Sequence, residues 1–168
     1  VQLTHYQNEF QTKTFPITVV CDHLSFHQNV GALFRISEAF GVEKIIFLGK
    51  ETPLNTRKIN KTSRSTHLHV PYELYSETAA LIQYLTENNF EIIALEITST
   101  SKPLREITFP SDKKTALLIG NEITGVSEAL LAISHQTAHI DMYGKNSSMN
   151  VVQATGIFLY EYTSKISM

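Results

Sequence analysis

Four short stretches of this chain are apolar along nearly their whole length rather than at alternate positions. They are residues 17–22 (I-T-V-V-C-D), 44–48 (K-I-I-F-L), 90–97 (F-E-I-I-A-L-E-I) and 115–119 (T-A-L-L-I). A strand with one wet face alternates apolar and polar side chains, whereas a strand lacking that alternation is buried on both faces. The stretches between them carry helical spacing. In residues 29–40, Val30, Leu33, Phe34, Ser37 and Phe40 recur every three or four positions, and Gly41 supplies a stop. Residues 76–88 place Ala79, Ala80, Ile82 and Leu85 on one side, with Ser76 as a cap. Residues 127–133, opened by Ser127, read as a short helix and residues 150–164 as a terminal one. Further strands are expected at 67–71 and 138–142, and a short helix near 54–61. Buried strands alternating with helices give an α/β fold: a single domain with a mostly parallel sheet flanked by helices.

The 168 residues suit one domain over 1–168, with 1–16 as an N-terminal extension. No apolar run approaches the roughly 20 residues of a membrane span. The opening V-Q-L-T-H-Y-Q-N-E-F lacks the cationic head and apolar stretch of a secretory signal. Cys21 is the only cysteine, so no internal disulfide is expected and a reducing, cytoplasmic setting fits. The formal net charge is -2, which taken alone speaks against a nucleic-acid partner.

In open α/β sheets, ligands bind beyond the carboxyl ends of the strands. Three segments in such places are rich in Gly, Asn and Ser: residues 26–35 (F-H-Q-N-V-G-A-L-F-R), 117–127 (L-L-I-G-N-E-I-T-G-V-S) and 140–151 (I-D-M-Y-G-K-N-S-S-M-N-V). Each runs into an expected helix start, where unpaired N–H groups suit polar ligands. None carries G-x-G-x-x-G or the phosphate-loop pattern, which counts against a dinucleotide or a nucleoside triphosphate.

Together the three segments resemble the three motifs of the SpoU/TrmH branch of the SPOUT methyltransferases. The first is similar to N-x-G-x-x-x-R-x-A-x-x-F-G and runs here from Asn29 through Gly31 and Arg35 to Gly41. The second is similar to L-x-x-G-x-E-x-x-G, from Leu117 through Gly120 and Glu122 to Gly125. The third is similar to I-P-M-x-G-x-x-x-S-L-N-V, from Ile140 through Gly144 and Ser148 to Val151, with Asp141 for the usual Pro and Met149 for the usual Leu. The K-T-S stretch at Lys61, Thr62 and Ser63 resembles the family's segment before its third strand.

That resemblance implies transfer of methyl from S-adenosylmethionine to a ribose 2′-hydroxyl in tRNA or rRNA. It also implies a C-terminal trefoil knot and a homodimer packed through the first and last helices. It puts Arg35, Asn29, Glu122, Ser148 and Asn150 in the catalytic machinery. For the cofactor it implies Leu95 and Glu96 at a strand end, an apolar wall of Ile119, Ile140 and Met142, and Gly120, Asn121, Ser148 and Met149.

Read without the resemblance, these residues have plainer uses. Asn29 stands where an N-cap is expected, and Ser148 and Asn150 fit as caps of the last helix. Arg35 can pair with Glu38 one turn on. Under the resemblance, Glu122 anchors the motif loops and Arg35, within the chain or across the dimer. A guanidinium is essentially never deprotonated in proteins, so Arg35 fits a cationic fork for RNA phosphate and developing alkoxide rather than a base. Val151, Ala154, Thr155, Phe158, Leu159 and Tyr162 form a stripe on the last helix, read as core against the sheet in preference to a dimer face. His67 and His69 lack the partners of a tetrahedral metal set, so no metal is expected; His23 and His27 read as solvated loop histidines.

The charge is unevenly spread. Residues 50–66 hold Lys50, Arg57, Lys58, Lys61 and Arg64 against Glu51 alone, a local +4 that leaves -6 for the rest. Binding to phosphates depends on the charges in contact, so Arg57, Lys58, Lys61, Ser63 and Arg64 are the expected RNA contacts, with Tyr72 and Tyr75 as stacking candidates. Two other readings stand beside the enzyme: a non-catalytic knotted RNA-binding module and, less favoured, a nucleotide-binding α/β oxidoreductase.

Overall fold

The computed structural model describes residues 10–50, 69–146 and 148–167. Seven strands form one sheet: β1 (Phe15–Asp22), β2 (Val42–Leu48), β3 (Tyr72–Tyr75), β4 (Glu91–Leu95), β5 (Lys102–Pro103), β6 (Thr115–Ile119) and β7 (Gln136–His139). The helices are α1 (His27–Ala39), α2 (Thr78–Glu87), α3 (Glu128–Ala132) and α4 (Val151–Ile166). The sheet order is β3-β2-β1-β6-β4-β7-β5, and all its pairings are parallel.

The fully apolar strands are central, as their lack of alternation requires. Successive side chains of β1 leave on opposite faces. Ile17, Val19 and Cys21 join Ile45, Phe47, Ile93 and Leu117 under α1 and α4. Val20 joins Ile46, Leu48, Ile92, Ala94 and Leu118 under α2 and α3. Thr155, Phe158, Leu159 and Tyr162 of α4 are buried in the first core, which bears out the core reading of that stripe. The Tyr162 hydroxyl donates to the Pro16 carbonyl at 3.3 Å, tying the end of α4 to the start of β1.

Several local expectations are corrected. The third strand lies at Tyr72–Tyr75, not at 67–71; residues 69 and 70 form a bend, while 67 and 68 lie outside the described residues. Pro71 cannot donate to a ladder, but its carbonyl accepts from the Ile45 N–H at 3.0 Å and so starts the edge pairing. The strand expected at 138–142 lies at Gln136–His139, because its register is set by Ile93–Leu95 of β4. Residues 98–114 held no expected element and supply the two-residue β5 and a 3-10 turn at Leu104–Glu106. The short helix expected at 54–61 falls outside the described residues.

Caps are corrected too. Helix α1 begins at His27 with Phe26 at the N-cap, so Asn29 lies inside its first turn. Glu77, not Ser76, precedes α2, and the Ser127 side chain makes no cap bond at α3. Instead the Ser127 N–H donates to buried Asp22 at 2.7 Å. Asn150 does cap α4, accepting from the Val152 and Gln153 N–H groups; Ser148 does not. Among the described residues, no helix is long and apolar enough to cross a membrane.

Candidate active site

Beyond the carboxyl ends of β4, β6 and β7, a cavity of about 530 Å³ opens beside the start of α4. Every residue expected to hold the cofactor lines it: Leu95, Glu96, Ile119, Gly120, Asn121, Ile140, Met142, Ser148 and Met149. Of the expected catalytic residues, Asn29, Glu122, Ser148 and Asn150 line it as well, and Arg35 does not. Its wall mixes aliphatic side chains, Leu95, Ile97, Ile119 and Ile140 among them, with the polar Asn29, Glu96, Asn121, Glu122, His139, Ser148 and Asn150.

The three loops are held together by one chain of side-chain hydrogen bonds. Glu122 Oε2 accepts from the Ser25 N–H at 3.0 Å. Its Oε1 accepts from the Phe26 N–H at 3.2 Å and from Asn29 Nδ2 at 2.8 Å. Asn29 Oδ1 in turn accepts from Asn150 Nδ2 at 3.0 Å, while Asn150 Oδ1 accepts from the Val152 N–H at 2.8 Å. Asn29 is only 9% exposed, and both ends of its amide are used. Asn29 thus links the second loop to the third rather than capping its own helix.

Burial pushes the Glu122 carboxyl up, but the bonds from Asn29, Ser25 and Phe26, together with its own backbone, outweigh that and hold it below its ordinary value. Asn121 works beside it. Its Nδ2 donates to the His23 carbonyl at 2.6 Å and to Ser25 Oγ at 3.0 Å, and its Oδ1 accepts from the Ile123 and Thr124 N–H groups.

Glu96 braces the same loop from the other side. Its Oε2 accepts from the Val126 N–H at 3.0 Å and its Oε1 from the Ile97 N–H at 2.9 Å. Gly125 sits against this carboxylate at φ 71°, and a Cβ there would run into Glu96 Oε2. Glycine meets both demands, since it carries no Cβ and takes positive φ freely.

Arg35 is exposed on α1 and does not meet Glu122. Six residues along a helix amount to about 9 Å of rise and a turn of about 120° away from Asn29. The expected Arg35–Glu38 pair is likewise absent from the ion pairs of the described residues. Arg57, Lys58, Lys61, Ser63 and Arg64 lie outside the described residues. Tyr72 packs edge-on against Phe34 and Phe47, and Tyr75 packs on Tyr84.

Sequence reasoning overlooked His139, Phe26 and Ile97 in the lining. His139 Nδ1 meets Ser101 Oγ at 2.9 Å, joining the loop after β4 to the end of β7. Its signal was its place just before the third motif. It also overlooked Asp22, whose only signal was a carboxylate ending a buried strand.

A family model described as the SpoU rRNA Methylase family matches residues 16–160. The tRNA (guanosine(18)-2'-O)-methyltransferase of Aquifex aeolicus is 31% identical over 146 residues, which are 86% of this chain and 67% of that one. The crystal structure of the A. aeolicus TrmH/SpoU tRNA modifying enzyme matches with a TM-score of 0.81 at 28% identity, covering 93% of this chain and 78% of that one. The AdoMet-bound rRNA methyltransferase from Sinorhizobium meliloti shares the fold, with a TM-score of 0.85 at 23% identity over 94% of this chain and 59% of that one. The match spans β1 to most of α4 and takes in all three loops of the cavity, and on that ground the chain belongs to the SpoU rRNA methylase family.

Proposed function

We propose that this chain is an S-adenosylmethionine-dependent methyltransferase acting on a ribose 2′-hydroxyl of tRNA or rRNA. The observation that carries the reading is the Glu122–Asn29–Asn150 chain of bonds, which closes all three motif loops around one cavity. The relative from A. aeolicus is named for 2′-O-methylation of guanosine in tRNA, which supports the ribose hydroxyl as acceptor.

The lining fits the cofactor. Leu95, Ile119, Ile140 and Met142 offer an aliphatic wall suited to an adenine ring. Glu96 and Glu122 are both engaged by backbone or amide donors, so they brace the loops while leaving negative potential near the cavity. Bound there, S-adenosylmethionine supplies a methyl group already activated on a sulfonium. What the chain must add is alignment of the hydroxyl oxygen with the methyl carbon, and an exit for the hydroxyl proton to water.

Arg35 serves as the cationic fork for phosphate and for charge developing on the ribose oxygen. Since it does not line its own cavity, the reading includes a homodimer through α1 and α4 in which Arg35 of the partner subunit completes the site. The basic segment supplies RNA phosphate contacts through Arg57, Lys58, Lys61, Ser63 and Arg64. A single methyltransferase domain with the C-terminal knot, working in the cytoplasm, completes the proposal.

The test is incubation with labelled S-adenosylmethionine and RNA from cells lacking the enzyme, followed by digestion to nucleosides. The expected product is a 2′-O-methylnucleoside. Cofactor binding with no transfer to any RNA would overturn the reading in favour of a non-catalytic RNA-binding module.

A further inference from the structure

His23, expected as a solvated loop histidine, is exposed in the turn after β1, and its imidazole is also held in place. It follows the last residue of β1 and takes up the left-handed conformation at φ 54°. That conformation costs a residue with a Cβ about 1 kcal/mol, which Gly would avoid. The imidazole is nevertheless held on two sides. Its Nδ1 lies 2.6 Å from Oδ1 of Asp22, a carboxylate only 2% exposed. Its ring rests over Gly49, which a Cβ would crowd at 3.0 Å from the ring. The His23 N–H donates to the Leu48 carbonyl at 2.9 Å, and the His23 carbonyl accepts from Asn121 of the cavity lining.

The side chain of His23 is 55% exposed. Its carbonyl is held by Asn121 of the cavity lining and its ring lies against Gly49, the neighbour of Lys50, the first cation of the basic segment; among the described residues Nδ1 is engaged and Nε2 makes no hydrogen bond. We infer that His23 is an RNA contact, its Nε2 facing a backbone phosphate beside the methylated nucleotide while Asp22 holds Nδ1. A carboxylate at one ring nitrogen and a phosphate at the other are the partners that suit an imidazole donating from both. Among the described residues, the other charged groups near it are the Lys50–Glu77 pair at 3.4 Å beyond Gly49, and Glu122, which holds the backbone of the following loop. Asp22 is a positioning residue here; it touches no RNA.

This inference rests on the RNA methyltransferase reading, and its test separates the two. Both Gly and Asn tolerate positive φ, so His23→Gly and His23→Asn remove the imidazole without straining the turn. Binding of bulk tRNA from cells lacking the enzyme is measured against salt at pH 6 and pH 8, with S-adenosylmethionine affinity and Tm as controls. Expected for both variants is RNA binding about tenfold weaker at pH 6, as for loss of one charge-assisted bond. The slope of log affinity against log salt is expected to fall by about 0.7–0.9, one phosphate contact. Normal methyl transfer by wild type, with variants binding RNA at wild-type affinity and slope, overturns the inference and leaves the enzyme reading intact. A wild-type protein that neither binds RNA nor transfers methyl overturns both.

Discussion

Replacing Glu122 by Gln tests whether the carboxylate, rather than the shape of the loop, holds the site together. Glu122 accepts three hydrogen bonds, from the Ser25 and Phe26 N–H groups and from Asn29 Nδ2. A glutamine has one oxygen and an NH2 group, so whichever way it turns, at least one of those donors faces another donor. The bonds that remain also lose their charge assistance. Bonds to charged groups are worth about 1.5–3 kcal/mol and neutral ones about 0.5–1.5 kcal/mol. Discounting for the half-buried setting, the expected loss is about 2–3 kcal/mol, or a fall in Tm of about 5–10 °C for a chain of this size. Because Asn29 also holds Asn150, the cavity should loosen and S-adenosylmethionine affinity should fall with the Tm. The sign of the pH dependence follows from the lowered Glu122 carboxyl. Its contribution is present above the ordinary carboxylate value of about 4.3 and is lost as pH falls through the lower folded value. Thermal melts and calorimetric titration of cofactor should therefore show a constant gap between wild type and variant from pH 6 to pH 8, closing in strong acid. A variant with wild-type Tm and cofactor affinity at pH 7 would refute the account of the site.

Three further outcomes are expected. Gly125→Ala puts a Cβ against the Glu96 carboxylate at a positive φ, so it should cost about 1 kcal/mol and weaken cofactor binding as Glu96 shifts; a Tm equal to wild type contradicts the strained turn. Asn150→Asp keeps the cap acceptor but cannot donate to Asn29, so melts should show a smaller loss than Asn150→Ala, whose missing cap costs about 1 kcal/mol, while both variants weaken cofactor binding. Arg35→Ala should keep S-adenosylmethionine affinity in calorimetry and lose methyl transfer to RNA, since the guanidinium serves the RNA phosphate and the ribose oxygen rather than the cofactor; weakened cofactor binding with normal turnover would reverse that assignment.

Much of the fold was legible because it depends on short-range pattern. The four unalternating apolar stretches became the four best-buried strands, and α1, α2, α3 and α4 appeared near their expected places. Errors gathered where a partner strand sets the answer. Residues 138–142 carry an apolar pattern as good as that of Gln136–His139, and only pairing with Ile93–Leu95 selects the latter, freeing Ile140 and Met142 for the cavity wall. Caps failed for the same reason: Asn29 has the right chemistry for a cap, and tertiary contact with Glu122 and Asn150 claimed its amide instead.

The opposition of net charge to an RNA substrate eased on inspection of the sequence itself, where a +4 segment offsets a -6 remainder. Composition, strand burial and the three motifs are local properties, and they determined the α/β class, the family and the residues of the cavity. Tertiary structure decided what those residues do for one another. It showed that Glu122 grips Asn29 within the chain, that Arg35 does not line its own cavity, and that His23 is held by a buried carboxylate. The Glu122–Asn29 and Asn29–Asn150 bonds join residues 93 and 121 positions apart, and such distances close only when the sheet order brings the carboxyl ends of β1, β6 and β7 to a common edge.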